Sequence, residues 1–387
     1  MTSSRLPAPT RACALAGLLL AIAPRPGRAE DTIRYKYQDY REMGGRIAVR
    51  VHGTSVEKDL GTATQLKLEG VIDTIAGATP NGQPAPAGSS EVPLSTLHER
   101  RKAWNATLAH QLPRLRLALG AANSRESDYV STGWSLHTTA EFNQKNTSVQ
   151  LGVAGTADDV RVFHQPTWAR KDTRDVIAGV TQLLDPRSAV TFHLGWGRQR
   201  GYLADPYKLV QRDTEIVPGV SLPLTFPENR PAERTKGTAL ASLNRLWPEL
   251  HGALELSYRL YRDSYDTTAH TIDFAWFQNL GERVILRPSL RFHDQSAASF
   301  YRYRLDGTPL TPTPGPPRPQ GPFYSSDYRL SALQTFTYGL KLVWNPTTAW
   351  QLDAAFERYD MRGTDRVTPQ SAYCRANILT AGARWTW

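Results

Sequence analysis

The chain has only two cysteines, Cys13 and Cys374. It also has no apolar run, anywhere, long enough to cross a bilayer as a helix. CxxCH is missing, so the polypeptide carries no c-type haem of its own. GxSxG, a Walker A loop and GxGxxG in a helical context are missing too, which removes the usual nucleotide-binding and serine-hydrolase readings. The net charge is +10, yet no basic helix and no aromatic–basic surface motif gathers it, and nucleic acid is excluded as a partner.

The N-terminus does carry a targeting signal. Arg5 and Arg11 precede the apolar stretch ACALAGLLLAIA (12–23), and Gly27 and Ala29 sit where a signal peptidase reads small residues. Residues 1–29 are expected to be cleaved, leaving residues 30–387 as the mature protein. Cleavage removes four Arg and no acid, so the charge falls to +6, and Cys374 is left alone without a disulfide partner or a Cys-based metal site. The mean hydropathy of −0.45 fits a soluble protein. It fits a membrane barrel equally, because only alternate residues of a strand meet lipid.

Periodicity decides between them. In VILRPSLRF (284–292), Val284, Leu286, Leu290 and Phe292 alternate with Arg287, Ser289 and Arg291. LRLALGA (115–121) and WQLDAAFER (350–358) alternate in the same way. Period two with charge on one parity describes strands with one apolar and one wet face. Short connections near 57–61, 112–114, 141–146, 185–188, 248–250, 280–282 and 345–349 alternate with longer ones near 73–101, 123–131, 155–172, 198–234, 261–268, 294–333 and 359–375. Short periplasmic turns and long outer loops are the habit of outer-membrane barrels. With IRYKYQDY (33–40) as a further strand and REMGG (41–45) as its outer loop, the count is sixteen, within a range of 14–18. The expected fold is therefore all-β: one transmembrane up-and-down antiparallel barrel in the outer membrane of a Gram-negative cell.

Tryptophan tests the topology. Trp276, Trp344, Trp350, Trp385 and Trp387 fall at expected periplasmic strand ends, and Trp104, Trp134 and Trp196 near the outer ends, all on the apolar parity. This is the two-girdle placement of rings at headgroup level. The chain stops on ANILTAGARWTW, where Leu379, Ala381, Ala383, Trp385 and Trp387 share a parity. That strand resembles the C-terminal signal read by the barrel-assembly machinery, a partner in biogenesis, with Trp in place of the usual Phe.

Several long blocks resemble one family. They include LEGVIDTIAGATP (68–80), ESDYVSTGWSL (126–136), KDTRDVIAGVTQLLDPRS (171–188), LSYRLYRDSYDTTAHT (256–271) and SSDYRLSALQTFTYGLKL (325–342). On these the chain is similar to the bacterial outer-membrane barrels catalogued as domain of unknown function 3570. The resemblance implies fold and location, and no catalytic residue. Members are often encoded near flavin-transferase and thioredoxin-like proteins, which would imply a periplasmic redox partner.

The wet parity nominates Arg50, Lys67, Glu69, Arg114, Arg116, Arg259, Arg283, Arg287, Arg291, Lys341, Asp353 and Glu357, with Glu255, as lumen-lining residues. An Arg excess would favour anions, and pairing across strands would instead fill the interior. His52, His137, His193 and His293 are expected to face inward without ligand-like spacing, so no metal and no cofactor is expected. Asp205, Tyr207, Lys208, Asp327, Tyr328 and Arg329 either line the outer mouth or knit the loops together, and knitting is the better account. His270 near Asp263 and Asp266, and His164 near Asp158 and Asp159, are weak grounds for an enzyme. The expected function is a channel or transporter for a small, anionic solute. The alternative is a non-conducting scaffold barrel that holds a periplasmic or surface partner. Lipid and lipopolysaccharide would surround either one.

Overall fold

The computed structural model describes residues 31–162, 167–312 and 318–387. The signal-peptide segment lies outside them, as does His164. The strands are β1 (Thr32–Glu42), β2 (Ala48–Asp59), β3 (Thr64–Pro80), β4 (Leu94–Gln111), β5 (Leu115–Arg125), β6 (Tyr129–Phe142), β7 (Thr147–Arg161), β8 (Trp168–Asp185) and β9 (Ser188–Gly201). They continue with β10 (Leu209–Val217), β11 (Val220–Pro227), β12 (Glu233–Trp247), β13 (Gly252–Asp263), β14 (Thr268–Leu280), β15 (Val284–Gln295), β16 (Leu333–Trp344), β17 (Trp350–Gly363) and β18 (Arg375–Thr386). Sixteen of them close a barrel in which each strand lies antiparallel to its neighbours, and β1 pairs with β18 to seal it. The remaining two, β10 and β11, form a separate hairpin inside the connection from β9 to β12. Closure leaves no strand edge unpaired in the wall.

The seven short connections are tight turns at one end, where Asp31 and Trp387 also lie, and Trp387 donates its backbone N–H to the Asp31 carbonyl. At the opposite end several connections are shorter than the sequence suggests, while the bend between β1 and β2 falls close to its expected place. The connections at 126–128 and 264–267 are only three and four residues long, and the expected loop at 73–101 narrows to 81–93 because β3 and β4, at 17 and 18 residues, extend into it. Two connections, 202–232 and 296–332, hold most of the loop mass.

Register fixes the two faces. On β16 the outward set is Trp344, Leu342, Leu340, Tyr338 and Phe336. Each is directly opposite an outward residue of β15 or β17, such as Phe292 or Phe356. These eight residue steps climb about 20 Å along the barrel axis at the usual rise and tilt. Leu194, Leu119 and Trp134 are 65%, 59% and 56% exposed on the same outer band. Trp134 lies flat on Gly155 and Trp276 on Gly252, where a Cβ would come within 2.8 Å and 2.2 Å of the rings. At the turn end Trp350, Trp385 and Trp387 stack in series, with centroids 6.1 Å and 4.7 Å apart. Trp247, whose face the sequence leaves open, joins this girdle 5.7 Å from Trp276.

Above the band the pattern inverts. Tyr40, Ile47, Val49, Leu97, Tyr359, Met361 and Ile378 point inward and build a core with Tyr328, Tyr373 and Cys374 from the loops. Outward positions at that level carry Arg and Asp, such as Arg41, Arg358 and Asp360. This inversion moves Arg50 and His52. Both face outward, opposite Asp39 and Tyr37, and His52 hydrogen-bonds Tyr35 at 2.8 Å. Their neighbours Val49 and Val51 read as lipid-facing, but they belong to the interior core. Arg114 and Arg283 also leave the lumen set, since they sit in exposed turns at the barrel's turn end.

Candidate functional site

The inner wall has two unlike halves. From β12 through β18 and round to β3 it is charged. Lys67, Glu69, Arg259, Arg287, Arg291, Lys341, Asp353 and Glu357, with Glu255, all occupy its inward register. Most of these charges have a partner of opposite sign. Lys341 meets Asp353 at 3.3 Å, Lys67 meets Glu69 at 2.6 Å and Glu57 at 3.9 Å, Arg287 meets Glu255 at 3.9 Å, and Arg291 bonds Asp273. Arg116 donates to Gln65 at 2.8 Å. Pairing cancels much of the Arg excess, yet Glu69 stays 34% exposed and Arg287 and Lys341 30% each. These heads face open space inside the barrel, as a sixteen-stranded wall leaves an aqueous bore.

From β5 to β9 the inner wall is smooth. Gly120, Gly133, Gly152, Gly179, Gly195 and Gly197 share it with Ala118, Ala122 and Ala154. His137 and His193 do face inward, as expected, and lie flat against it. A Cβ on Gly152 or Gly179 would come within 2.7 Å or 2.0 Å of their rings. His193 also hydrogen-bonds Gln150 at 3.2 Å, and His293 is held by Thr271 at 2.9 Å and Gln295 at 3.3 Å. His270 and Asp263 face opposite sides of the wall. The histidine hydrogen-bonds Tyr258 outside, while Asp263 accepts from Arg234 and Tyr261 inside.

The loops fold across the far mouth. Lys208, only 1% exposed, donates to the Pro80 carbonyl and lies 5.6 Å from the Tyr328 ring centre. Arg230 bridges Glu228 at 2.7 Å and Asp327 at 2.8 Å, and Arg329 bridges Asp327 and Asp205, each at 2.5 Å. Tyr207 donates to Asp128 at 2.9 Å, and Leu209 donates its N–H to Asn81 at 2.8 Å. Three basic and three acidic groups thus balance in a buried clamp that ties connection 202–232 to 296–332 and to the loops after β3 and β5. The six residues singled out at the sequence level are all here. Glu228 and Arg230 were missed, and only the flanking Pro227 and Pro231 hinted at a fixed loop.

Burial sets the ionisation of the clamp. Loss of hydration pushes the Glu228 carboxyl up, to about 7, against the pull of Arg230. Asp327 is buried as well, but Arg329 and Arg230 hold it far below the ordinary carboxylate range. Burial lowers Lys208, and it raises the Cys374 thiol to about 12, which leaves the thiol inert.

A closed antiparallel barrel with an apolar outer band, a wet charged bore and a loop cap defines the class: a large β-barrel of the outer-membrane type. The chain belongs to the family described as Protein of unknown function (DUF3570), whose model matches residues 10–170 and 163–373. No curated protein matches it. Among solved structures it is similar to the siderophore receptor PirA from Pseudomonas aeruginosa, with 11% identity over 93% of this chain and 62% of that one, at a TM-score of 0.46. A mutant of the ferric enterobactin receptor from Pseudomonas aeruginosa matches with 12% identity over 87% and 54%, also at 0.46. A bacterial polysaccharide outer membrane secretin matches with 8% identity over 92% and 98%, at 0.49. The chain spans less than two thirds of the two receptors.

Proposed function

We propose that the protein is a loop-gated channel for small solutes in the bacterial outer membrane. More than thirty large apolar side chains stand exposed on the outer face of the wall. Leaving each in water forfeits on the order of 1 kcal/mol or more, so tens of kcal/mol favour a lipid surrounding. The turn end then faces the periplasm and the capped end the outside. The observation that carries the channel reading is the combination of charged inner-wall heads in open space with a mouth closed only by loops. A bore kept wet serves passage, and a cap made of loops, packed on the rim through Tyr328, Tyr373 and Cys374, can move without breaking the strand pairing of the wall.

Because the lumen charges are largely paired, anion preference would rest on the few positive heads beyond the pairs, and selectivity should be modest. The same pairing favours the scaffold reading as an alternative, with the sealed mouth as a docking face. Planar-bilayer recordings on the purified chain test both. Openings in the wild type that become frequent when the cap is loosened support the channel. A barrel silent in the wild type and silent after cap loosening removes it.

A further inference from the structure

We infer that the outer face of β3–β6 is a binding site for a phosphorylated, acylated glycolipid of the outer leaflet; the inference rests on the outer-membrane location proposed above. Its upper part is cationic. Lys102 on β4 and Arg125 on β5 are directly opposite each other and face outward, and Arg100 follows two residues along the same face. All three are exposed, and among the described residues none of them makes an ion pair or side-chain hydrogen bond. The outward positions around them are Thr74, Thr96, Asn123 and Thr132, with no acid among them. Like charges directly opposed across a strand pair, about 5 Å apart, destabilise the sheet. An anion between them reverses the sign of that effect.

The lower part is apolar and hollow. Moving down the β4–β5 pair from the cations, the register runs Trp104 with Asn123, Ala106 with Ala121, and Leu108 with Leu119. The two alanines, flanked by Leu66, Leu136 and Trp134, leave a depression of about 490 Å³ in the outer wall. Ala354 and Ala381 also oppose each other on the outer face of β17 and β18, but there the flanking outward positions carry no such cluster of cations two levels above. A hollow for an alkyl chain therefore sits two side-chain levels below three unneutralised cations, with a tryptophan between them at headgroup height. Phosphate on an acylated sugar satisfies both parts at once.

Two other sets of rim cations are neutralised in part. Arg174 and Arg198 also oppose each other, but Arg198 and Arg200 bond Glu233 at 2.6 Å and 3.3 Å. Arg358 reaches Asn377 at 2.9 Å and Asp360 at 3.6 Å. The β3–β6 sector joins positive charge without an ion-pair partner among the described residues to an apolar hollow on the same face.

The test uses the full chain purified in detergent and titrated with bis-phosphorylated lipid A, dephosphorylated lipid A and inorganic phosphate, with bound lipid read by native mass spectrometry. Lys102→Gln with Arg125→Gln should weaken bis-phosphorylated lipid A at least tenfold. Ala106→Phe, which fills the hollow, should do the same, and Arg358→Gln should leave binding unchanged. Equal binding by the double variant and wild type overturns the site, as does equal binding of dephosphorylated lipid A. Displacement of lipid A by inorganic phosphate at matching strength would mark a free-anion site and overturn the lipid assignment. Insertion into phosphatidylcholine vesicles is followed in parallel. Normal insertion with no lipid A discrimination defeats this inference alone, whereas a wild type that never inserts defeats the location and this site with it.

Discussion

Asp327 is the point at which the cap is most exposed to a single change. Its carboxylate is 1% exposed and holds both Arg230 and Arg329. In Asp327→Ala, three buried cations remain against Asp205 and Glu228, and Glu228 is already pushed toward its neutral form by burial. Removing one partner from a buried ion network costs about 3–5 kcal/mol. The cost falls on the closed cap, because with the cap open the two guanidiniums and Lys208 recover their hydration. A bias of about 3 kcal/mol multiplies the open fraction by roughly a hundred. The six charged side chains of the cluster all lie in the connections, and the wall touches them through the Pro80 carbonyl and Gln295, so the strand pairing is left intact and the barrel should still migrate as a folded, heat-modifiable species. Single-channel recording should show openings roughly a hundredfold more frequent in Asp327→Ala than in wild type. Limited proteolysis should cut connections 202–232 and 296–332 faster by a similar factor, since cleavage follows the open population. Opening frequency and cleavage rate unchanged from wild type would refute the clamp as the element that holds the mouth shut.

The remaining predictions concern acid, selectivity and the wall. Glu228 has a closed-state pKa raised above its ordinary 4.5, so its contribution to closure is complete below about 4.5 and is lost as pH rises through about 7. Channel opening should therefore increase between pH 5 and 8, and Glu228→Gln should flatten that rise; Lys208, lowered by burial, acts in the opposite sense, and the amide isolates the acid from it. Asp353→Asn strips Lys341 of its 3.3 Å partner, so reversal potentials in a salt gradient should move toward anions, and an unmoved potential would place Lys341 outside the conduction path. Gly179→Ala puts a methyl within 2.0 Å of the His193 ring, and the folded barrel should lose about 1–3 kcal/mol in urea unfolding from vesicles. Removing Trp387 breaks its 4.7 Å stack on Trp385 and the terminal aromatic; assembled barrel should fall several-fold on a heat-modifiability gel, with normal levels counting against the insertion-signal reading.

What could be read from the chain follows from how local each signal is. Strand alternation, the seven tight turns and the two tryptophan belts depend on residues two apart and on the polarity of one face. Sequence carries both, and the barrel, its closure at sixteen strands and the inward place of Lys67, Arg287, Lys341 and Asp353 were accessible that way. Arg50 and His52 show where local reading stops. Parity tells which residues share a face, but not which face is inside, and the rule that apolar means outward holds only within the lipid-height band. Above it, Val49 and Val51 turn into a core that loop residues hundreds of positions away complete, among them Tyr328 and Tyr373.

By itself, then, the sequence determined a wall: its period, its strand number, its greasy exterior and its charged interior. Only the tertiary structure decided that the interior charges pair, that the cap is a balanced cluster of Asp205, Lys208, Glu228, Arg230, Asp327 and Arg329, and that two opposed alanines hollow the outside beneath two opposed cations. The physical reason is separation along the chain. Asp205 and Arg329 meet at 2.5 Å across 124 residues, and a contact of that kind has no periodicity to announce it.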